Sequence, residues 1–270
     1  MTNAAQGATN RGFAVITGGS SGIGYEFAKV CAAENFEILV VADYGVEEAA
    51  EQLRANGAAV TGLTADLATF DGNEGVAAAI QQSSRPVDVL ALNAGRVVGG
   101  PFLETDLEHE RALIELNIGS VVHLSKRLLP AMVARGEGRV LITSSIAATM
   151  PGPYYATYAA SKSFLLSFAE AIRYELKDTG VSVTAVLPGP TDTEIFDRAG
   201  MQDTQVYQGP KDDPAVVAQD AFTALMAGDD KVVAGSVKNL LQTIMARLAP
   251  EQFKAARHAV YTKPKDLEEE

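Results

Sequence analysis

Short runs of β-branched and other apolar residues alternate along the chain with longer stretches whose apolar residues recur at helical spacing. Such runs, bounded by turn residues, are typical of buried strands. The predicted strands cover residues 13–17, 38–42, 60–64, 87–92, 140–143, 181–187 and 231–234. The helical stretches between them include residues 23–35, 47–56, 107–135 and 158–179.

Strands that are separated by helices indicate parallel pairing, because each parallel pair needs a crossover connection. The sequence therefore predicts an α/β fold, a doubly wound parallel sheet of about seven strands with helices on both faces. In such a sheet, ligands bind at the carboxyl ends of the strands, where the strand order reverses.

We expect one domain over residues 1–270, since no repeat or low-complexity linker divides the chain. Residues 191–213 lie in a stretch rich in Pro, Asp, Thr and Gly, without a clear period, and are predicted to form a mobile substrate lobe. Residues 236–270 are predicted to form a C-terminal helix, with apolar residues at helical spacing from Leu240 to Leu248, followed by an acidic tail. That helix packs either on its own domain, which we favour, or on a partner subunit.

Charge and composition exclude several classes of function. The formal net charge of −12 disfavours binding to nucleic acid and to anionic membranes. The three histidines are widely spaced and Cys31 is the single cysteine, so the sequence predicts no metal site; Cys31 itself is interpreted as a buried apolar residue. Residues 1–10 lack the features of a secretory signal and no apolar run reaches the length of a membrane span, so a cytoplasmic location is expected.

A glycine-rich loop follows the first predicted strand and precedes a helix. Its residues from Thr17 to Gly24 read Thr-Gly-Gly-Ser-Ser-Gly-Ile-Gly. Glycine permits positive φ and lets the backbone approach a pyrophosphate at a helix N-terminus. In this strand-loop-helix context, binding of a dinucleotide phosphate is favoured over a plain turn.

Asp43 stands nineteen residues after Gly24, at the end of the second predicted strand. A carboxylate there accepts hydrogen bonds from the adenosine ribose, which favours NAD over NADP. A 2′-phosphate about 4 Å away would be repelled by roughly 4 kcal/mol per unit charge at an effective dielectric of ~20. Neither the loop nor residues 43–46 supply an Arg or Lys to offset that repulsion. A solvated turn aspartate is the alternative interpretation.

Tyr158 and Lys162 are four residues apart at the start of a predicted helix, so their side chains share one face. A lysine cation about 4 Å from a phenol lowers the phenol pKa by up to ~3 at an effective dielectric of ~20. Such a change brings tyrosine towards neutrality, where a general acid/base is most effective. We expect this pair to transfer a proton.

These motifs occur in an order that resembles the short-chain dehydrogenase/reductase family, over roughly residues 12–234. Beyond the glycine loop and the Tyr158–Lys162 pair, the matching positions are Asp66-Leu67, Asn93-Ala94-Gly95, Asn117, Ser145, and Pro188-Gly189 followed by Thr193. The resemblance implies a Rossmann fold and an NAD(H)-dependent alcohol dehydrogenase or carbonyl reductase. This sequence departs from the family pattern in two places. Leu92 stands where an asparagine is frequent, and the C-terminus lacks the usual glycine-rich strand end.

The resemblance also implies roles for individual residues. Tyr158 exchanges the proton with the substrate oxygen, Ser145 hydrogen-bonds that oxygen, Lys162 holds the nicotinamide ribose and lowers the Tyr158 pKa, and Asn117 steadies a water. The implied catalytic residues are therefore Asn117, Ser145, Tyr158 and Lys162. The implied cofactor-binding residues are Gly18, Ser20, Ser21, Gly22, Ile23, Gly24, Asp43, Asp66, Leu67, Asn93, Ala94, Gly95, Tyr158, Lys162, Pro188, Gly189, Thr191 and Thr193.

Two alternatives remain open beside the NAD(H)-linked enzyme. One is an NADP(H)-dependent carbonyl reductase of the same family, and the other is a nicotinamide-binding sensor without turnover. We expect a small-molecule alcohol or carbonyl as the substrate. The sequence suggests that Tyr154 and Tyr155 line its pocket, with packing of the loop as the alternative interpretation. A homo-oligomer, either a dimer or a tetramer, is implied by the family, although the unusual C-terminus weakens that inference.

Overall fold

The computed structural model describes residues 11–236, residue 239 and residues 251–265. In this part of the chain seven strands form one sheet, and every pairing in it is parallel. The strands are β1 Gly12–Thr17, β2 Phe36–Ala42, β3 Val60–Thr64, β4 Val89–Leu92, β5 Gly138–Thr143, β6 Val181–Pro188 and β7 Lys231–Ala234. All seven predicted strands are thus confirmed, with ends that differ by at most two residues.

Helices connect the strands on both faces of the sheet. They are α1 Gly22–Ala33, α2 Val46–Ala55, α3 Phe70–Gln82, α4 Leu107–Ile114, α5 Ser120–Arg135, α6 Ala156–Leu176, α7 Ile195–Arg198, α8 Gln205–Gln208, α9 Pro214–Ala227 and α10 Glu251–Thr262. The single helix predicted over residues 107–135 is divided, because a π-helical turn at Glu115–Gly119 separates α4 from α5.

The strand order is β3-β2-β1-β4-β5-β6-β7, so the order reverses between β1 and β4. This confirms the predicted doubly wound α/β sheet. Because all strands run in the same direction, the loops after β1, β2, β4, β5 and β6 meet at one edge. That edge is where a ligand is expected in a fold of this class.

Two apolar layers cover the two faces of the sheet. On one face α1, α2 and α9 pack against the strands, and Phe222 of α9 contacts the rings of Phe27 and Phe36 at centroid distances of 6.0 and 6.3 Å. On the other face α3, α5 and α6 bury residues such as Leu124 and Leu165. Burial on both faces explains the continuous apolar runs in the sequence.

The C-terminal region matches the prediction only in part. The apolar stripe from Leu240 to Leu248 and the acidic tail lie outside the described residues, whereas α10 begins at Glu251, beyond that stripe. Residues 191–213 carry the short helices α7 and α8 and a bridge between Thr191 and Asp212, and movement of this lobe stays a prediction. Among the described residues, no helix combines the length and apolar character needed to cross a bilayer.

Candidate active site

A cleft of about 1290 Å³ opens at the carboxyl edge of the sheet. Eighteen of the twenty different residues predicted to act in catalysis or cofactor binding line it; the other two are Gly24 and Asn117. The predicted residues along the cleft are Gly18, Ser20, Ser21, Gly22, Ile23, Asp43, Asp66, Leu67, Asn93, Ala94, Gly95, Ser145, Tyr158, Lys162, Pro188, Gly189, Thr191 and Thr193. The fold therefore brings together motifs that lie up to 175 residues apart in the chain.

The glycine loop connects β1 to α1 and forms one end of the cleft. Gly18 and Gly22 have positive φ values of 64° and 54°. A Cβ on Gly24 would lie 2.1 Å from the carbonyl oxygen of Gly18, so Gly24 lets the loop fold back on the helix rather than lining the cleft. Ser21, the residue before α1, makes no side-chain capping hydrogen bond. The amide groups at the start of α1 are thus available to an anionic group.

Thr17, at the end of β1, ties the loops after β1 and β4 together. Its hydroxyl accepts hydrogen bonds from the amides of Asn93 (2.9 Å) and Ala94 (3.1 Å) and donates to the carbonyl of Ala91 (3.2 Å). The Asn93 side chain accepts a hydrogen bond from Thr143, at the end of β5 (3.1 Å). Three strand ends are thereby joined beneath the cleft, a role of Thr17 that the sequence interpretation did not assign.

Asp43 and Tyr44 follow β2 and line the cleft beside the glycine loop. Arg198, from α7, also lines the cleft, and its guanidinium carbon lies 4.2 Å from the centroid of the Tyr44 ring. The sequence interpretation found no cation within the glycine loop or residues 43–46. The fold brings one from a segment more than 150 residues away, because the lobe folds over this end of the cleft.

Two adjacent serines follow β5, and the structure separates their environments. The Ser144 hydroxyl donates to the carbonyl of Lys162 at 2.7 Å and is buried in that contact. The Ser145 hydroxyl accepts from the amide of Ala147 and hydrogen-bonds the Tyr158 side chain. Ser145, rather than Ser144, therefore faces the phenol.

Tyr158 and Lys162 lie on the first two turns of α6, with the Lys162 ammonium 5.7 Å from the Tyr158 ring centroid. Burial raises the pKa of Tyr158 to about 12, and the hydrogen bond with Ser145 opposes that rise. Burial also lowers the pKa of Lys162 to about 8. The expectation that Lys162 brings the Tyr158 pKa towards neutrality is thus wrong for the protein groups by themselves. Desolvation is the largest cause of both shifts, and the Lys162 ammonium donates its hydrogen bond to the Thr143 carbonyl (2.8 Å).

Asn117 lies in the π-helical turn between α4 and α5 and is buried. Its side chain accepts from the amide of Arg96 (2.9 Å) and donates to the carbonyl of Arg96 (3.0 Å) and to the Ser161 hydroxyl (3.0 Å). The amide group therefore holds the loop after β4 against α6. Turns of this kind occur frequently at functional sites, and the sequence pattern did not reveal this one.

The other end of the cleft is built on a small apolar cluster. Its buried members are Val97, Leu113, Ala147, Tyr155, Tyr158, Phe196 and Met201. Tyr155 lines the cleft as the sequence suggested, whereas Tyr154, whose backbone has a positive φ of 61° in the loop before α6, does not. Lys254, Ala256, His258 and Tyr261 of α10 also line the cleft, and sequence interpretation missed all four.

Comparisons with known proteins agree with this arrangement. The model of the short chain dehydrogenase family matches residues 12–203. A putative ketoacyl reductase of Streptomyces coelicolor is 35% identical over 186 residues, covering 67% of this chain and 71% of that protein. Dehydrogenase/reductase SDR family member 7B of Bos taurus is 32% identical over 255 residues, covering 88% of this chain and 78% of that protein.

A solved structure shares the fold as well as part of the sequence. The short-chain dehydrogenase from Sphingobium yanoikuyae, solved in complex with NADPH, superposes with a TM-score of 0.77 at 28% identity. The match covers 82% of this chain and 87% of that structure. Family model, relatives and fold agree on an oxidoreductase with a nicotinamide cofactor. The chain belongs to the short-chain dehydrogenase/reductase family.

Proposed function

We propose that this protein transfers a hydride between NAD(H) and an alcohol/carbonyl substrate, with Tyr158 as the general acid/base. The observation that carries the proposal is the convergence of Ser145, Tyr158 and Lys162 in one cleft whose other end is the glycine loop. A protein that only senses the cofactor needs the loop but has no use for a buried phenol, serine and lysine at the far end.

The cleft suits a dinucleotide at the positions that the sequence indicated. The uncapped start of α1 and the glycines of the loop leave room and amide donors for phosphates, and Lys162 and Thr193 would contact the nicotinamide end. When bound, the nicotinamide donates or accepts the hydride, while the protein supplies the proton.

In the reduction direction Tyr158 gives its proton to the carbonyl oxygen as negative charge develops there. Ser145 stabilises that charge with a hydrogen bond, since its hydroxyl donates to the Pro188 carbonyl across a long distance of 3.4 Å and is able to turn to the substrate. Lys162 then returns a proton, because a lysine with a pKa of about 8 exchanges protons near neutral pH. Asn117 holds the loop and helix that frame this relay.

Tyr158→Phe tests the assignment. The variant keeps the ring and loses the proton, so turnover is expected to fall by roughly 10²- to 10⁴-fold while the Kd for the cofactor changes little. Turnover is followed by the absorbance of NADH or NADPH with a panel of ketones, aldehydes and secondary alcohols, and the Kd by titration. Ser144→Ala is the matched control for Ser145→Ala, since only Ser145 faces the phenol. Unchanged turnover in Tyr158→Phe would refute the proposal.

The preference for NAD(H) rests on Asp43 and is a separate proposal. A specific observation favours the second candidate, an NADP(H)-dependent reductase: Arg198 lies on the Tyr44 ring next to Asp43, where a cation could pair with a 2′-phosphate. The Sphingobium relative also has NADPH bound. Titrating NADH and NADPH into the wild type, Asp43→Asn and Arg198→Ala separates the two. Preference for NADH that is lost in Asp43→Asn supports NAD, whereas NADPH preference lost in Arg198→Ala supports NADP.

We propose an apolar or amphipathic ketone as the substrate in the reduction direction. Support comes from the side chains at the Tyr158 end of the cleft, which include Val97, Ile195, Phe196 and Val206, and from the relative named as a putative ketoacyl reductase. Ethyl acetoacetate and 2-octanone are suitable probes. Activity confined to polyanionic substrates would contradict this choice.

A further inference from the structure

Helix α10 closes the substrate end of the cleft through hydrogen bonds to the loop that precedes α6. The Thr262 hydroxyl donates to the carbonyl of Pro153 at 2.8 Å, and His258 contacts both Tyr155 and the carbonyl of Pro151. Beyond the helix, the backbone amide of Lys265 donates to Asp203 of the lobe. The last described helix is therefore held against this wall of the cleft at several points.

The hydrogen-bond partners of His258 determine which ring nitrogen carries the proton. Its Nδ1 lies 2.8 Å from the carbonyl oxygen of Pro151, which only accepts, so Nδ1 carries a proton. Burial lowers the pKa of His258, which favours the neutral ring. In that ring Nε2 is an acceptor, and it receives the hydroxyl proton of Tyr155 across 2.6 Å. The hydroxyl of Tyr155 therefore donates its hydrogen bond to His258.

Tyr155 in turn contacts the proposed acid/base. The rings of Tyr155 and Tyr158 are stacked, with centroids 5.5 Å apart and planes inclined by 22°. The imidazole of His258 meets the Tyr155 ring edge-on at 5.4 Å. Both tyrosines are buried. A chain of three rings thus runs from α10 to Tyr158, and two phenols lie side by side at the cleft wall.

We propose that His258 is a positioning residue that holds Tyr155 against Tyr158 and thereby leaves Tyr158 as the phenol that donates to the substrate oxygen. The inference rests on the proposed function of Tyr158. Two neighbouring phenols would otherwise compete for the same oxygen, and a Tyr155 ring free to turn would no longer support the Tyr158 ring. His258 prevents both, because it accepts the Tyr155 proton and fixes the ring edge.

The test compares His258→Leu, His258→Gln, Tyr155→Phe and the double variant His258→Leu/Tyr155→Phe with the wild type. Glutamine is able to accept from Tyr155 and donate to Pro151, so it replaces both hydrogen bonds. His123→Leu is the matched control, since it removes a histidine that pairs with Glu74 outside the cleft. Steady-state kinetics use ethyl acetoacetate and 2-octanone, with cofactor Kd values and pH profiles of kcat measured in parallel.

In His258→Leu we expect kcat to fall roughly ten-fold, since small displacements of a reacting group reduce rates strongly. The cofactor Kd should stay within about two-fold because the glycine loop is untouched. His258→Gln should recover most of the activity, and the double variant should be no slower than His258→Leu, because both changes remove one interaction. Wild-type kcat and KM in His258→Leu, additive losses in the double variant, or no recovery in His258→Gln would overturn the inference.

A second measurement keeps the inference separate from the proposed function. If the wild type reduces none of the probes, the proposed function fails. The hydrogen bond between His258 and Tyr155 is then still testable by ¹⁵N chemical shifts of the histidine ring. A neutral His258 that is protonated at Nδ1, and whose Nε2 chemical shift changes in Tyr155→Phe, supports the hydrogen bond from Tyr155 to His258. A ring protonated at Nε2, or an Nε2 chemical shift that is the same in the wild type and Tyr155→Phe, overturns the inference. Tyr155→Phe also serves if His258→Leu fails to fold, because it removes one hydroxyl and keeps the ring.

Discussion

Replacing Lys162 by methionine removes an ammonium that the fold almost completely buries, at 3% exposure. Burial lowers the pKa of this lysine from 10.5 to about 8, so the native state disfavours the charged form. The unfolded chain binds more protons than the native chain between these two values. The free energy of unfolding of the wild type should therefore rise with pH from about 8 to 10.5 through this group, and the burial penalty is complete below about pH 8.

The size of this effect follows from the pKa difference. A lowering from 10.5 to about 8 corresponds to a native-state penalty of order 3 kcal/mol at pH 7, at about 1.4 kcal/mol per pKa unit. Methionine removes that penalty but also loses the hydrogen bond to the Thr143 carbonyl, which offsets roughly 1–3 kcal/mol. At pH 7 the two effects largely cancel. Between pH 7 and pH 10, however, the wild type should gain about 2–3 kcal/mol relative to Lys162→Met.

Urea unfolding of both proteins at several pH values from 7 to 10 measures this difference, and the activity of Lys162→Met is expected to be lost at each of them. The pKa of Tyr158 also differs between the native and unfolded states, but this group titrates above pH 10 and is present in both proteins. Its contribution therefore does not change the comparison between pH 7 and pH 10. Lys126→Met, which replaces an exposed lysine on α5, is the control and should keep a constant difference from the wild type. A difference between Lys162→Met and the wild type that stays constant with pH would refute the proposed burial penalty.

Three further predictions concern the core and the loop. Gly24→Ala should weaken cofactor binding at least ten-fold in a titration, because the new Cβ meets the Gly18 carbonyl and displaces the phosphate loop; unchanged binding would contradict this. Cys31 is buried and its pKa is raised by burial, so Ellman's reagent should modify it only after unfolding; rapid modification of the native protein would refute its burial. Phe222→Ala should lower the free energy of unfolding by about 3–5 kcal/mol in urea, since it empties the contact with Phe27 and Phe36, and a loss below about 1 kcal/mol would contradict that packing.

Local patterns along the chain determine most of the fold. The strands were predictable because a parallel strand that is covered on both faces is apolar along most of its length, as in the run from Ile38 to Ala42. The glycine loop and the Tyr158–Lys162 pair were predictable for a similar reason. Each depends on neighbours within a few residues, so spacing along the chain carries the information.

Other features depend on contacts between distant segments, and only the tertiary structure decided them. His258 meets Tyr155 across 103 residues, and Arg198 reaches Tyr44 from the lobe, yet neither residue stands in a distinctive local pattern. The spacing of Tyr158 and Lys162 predicted their proximity but gave the wrong direction for the Tyr158 pKa. A pKa depends on how much water the whole fold excludes around a group, and no local spacing contains that quantity.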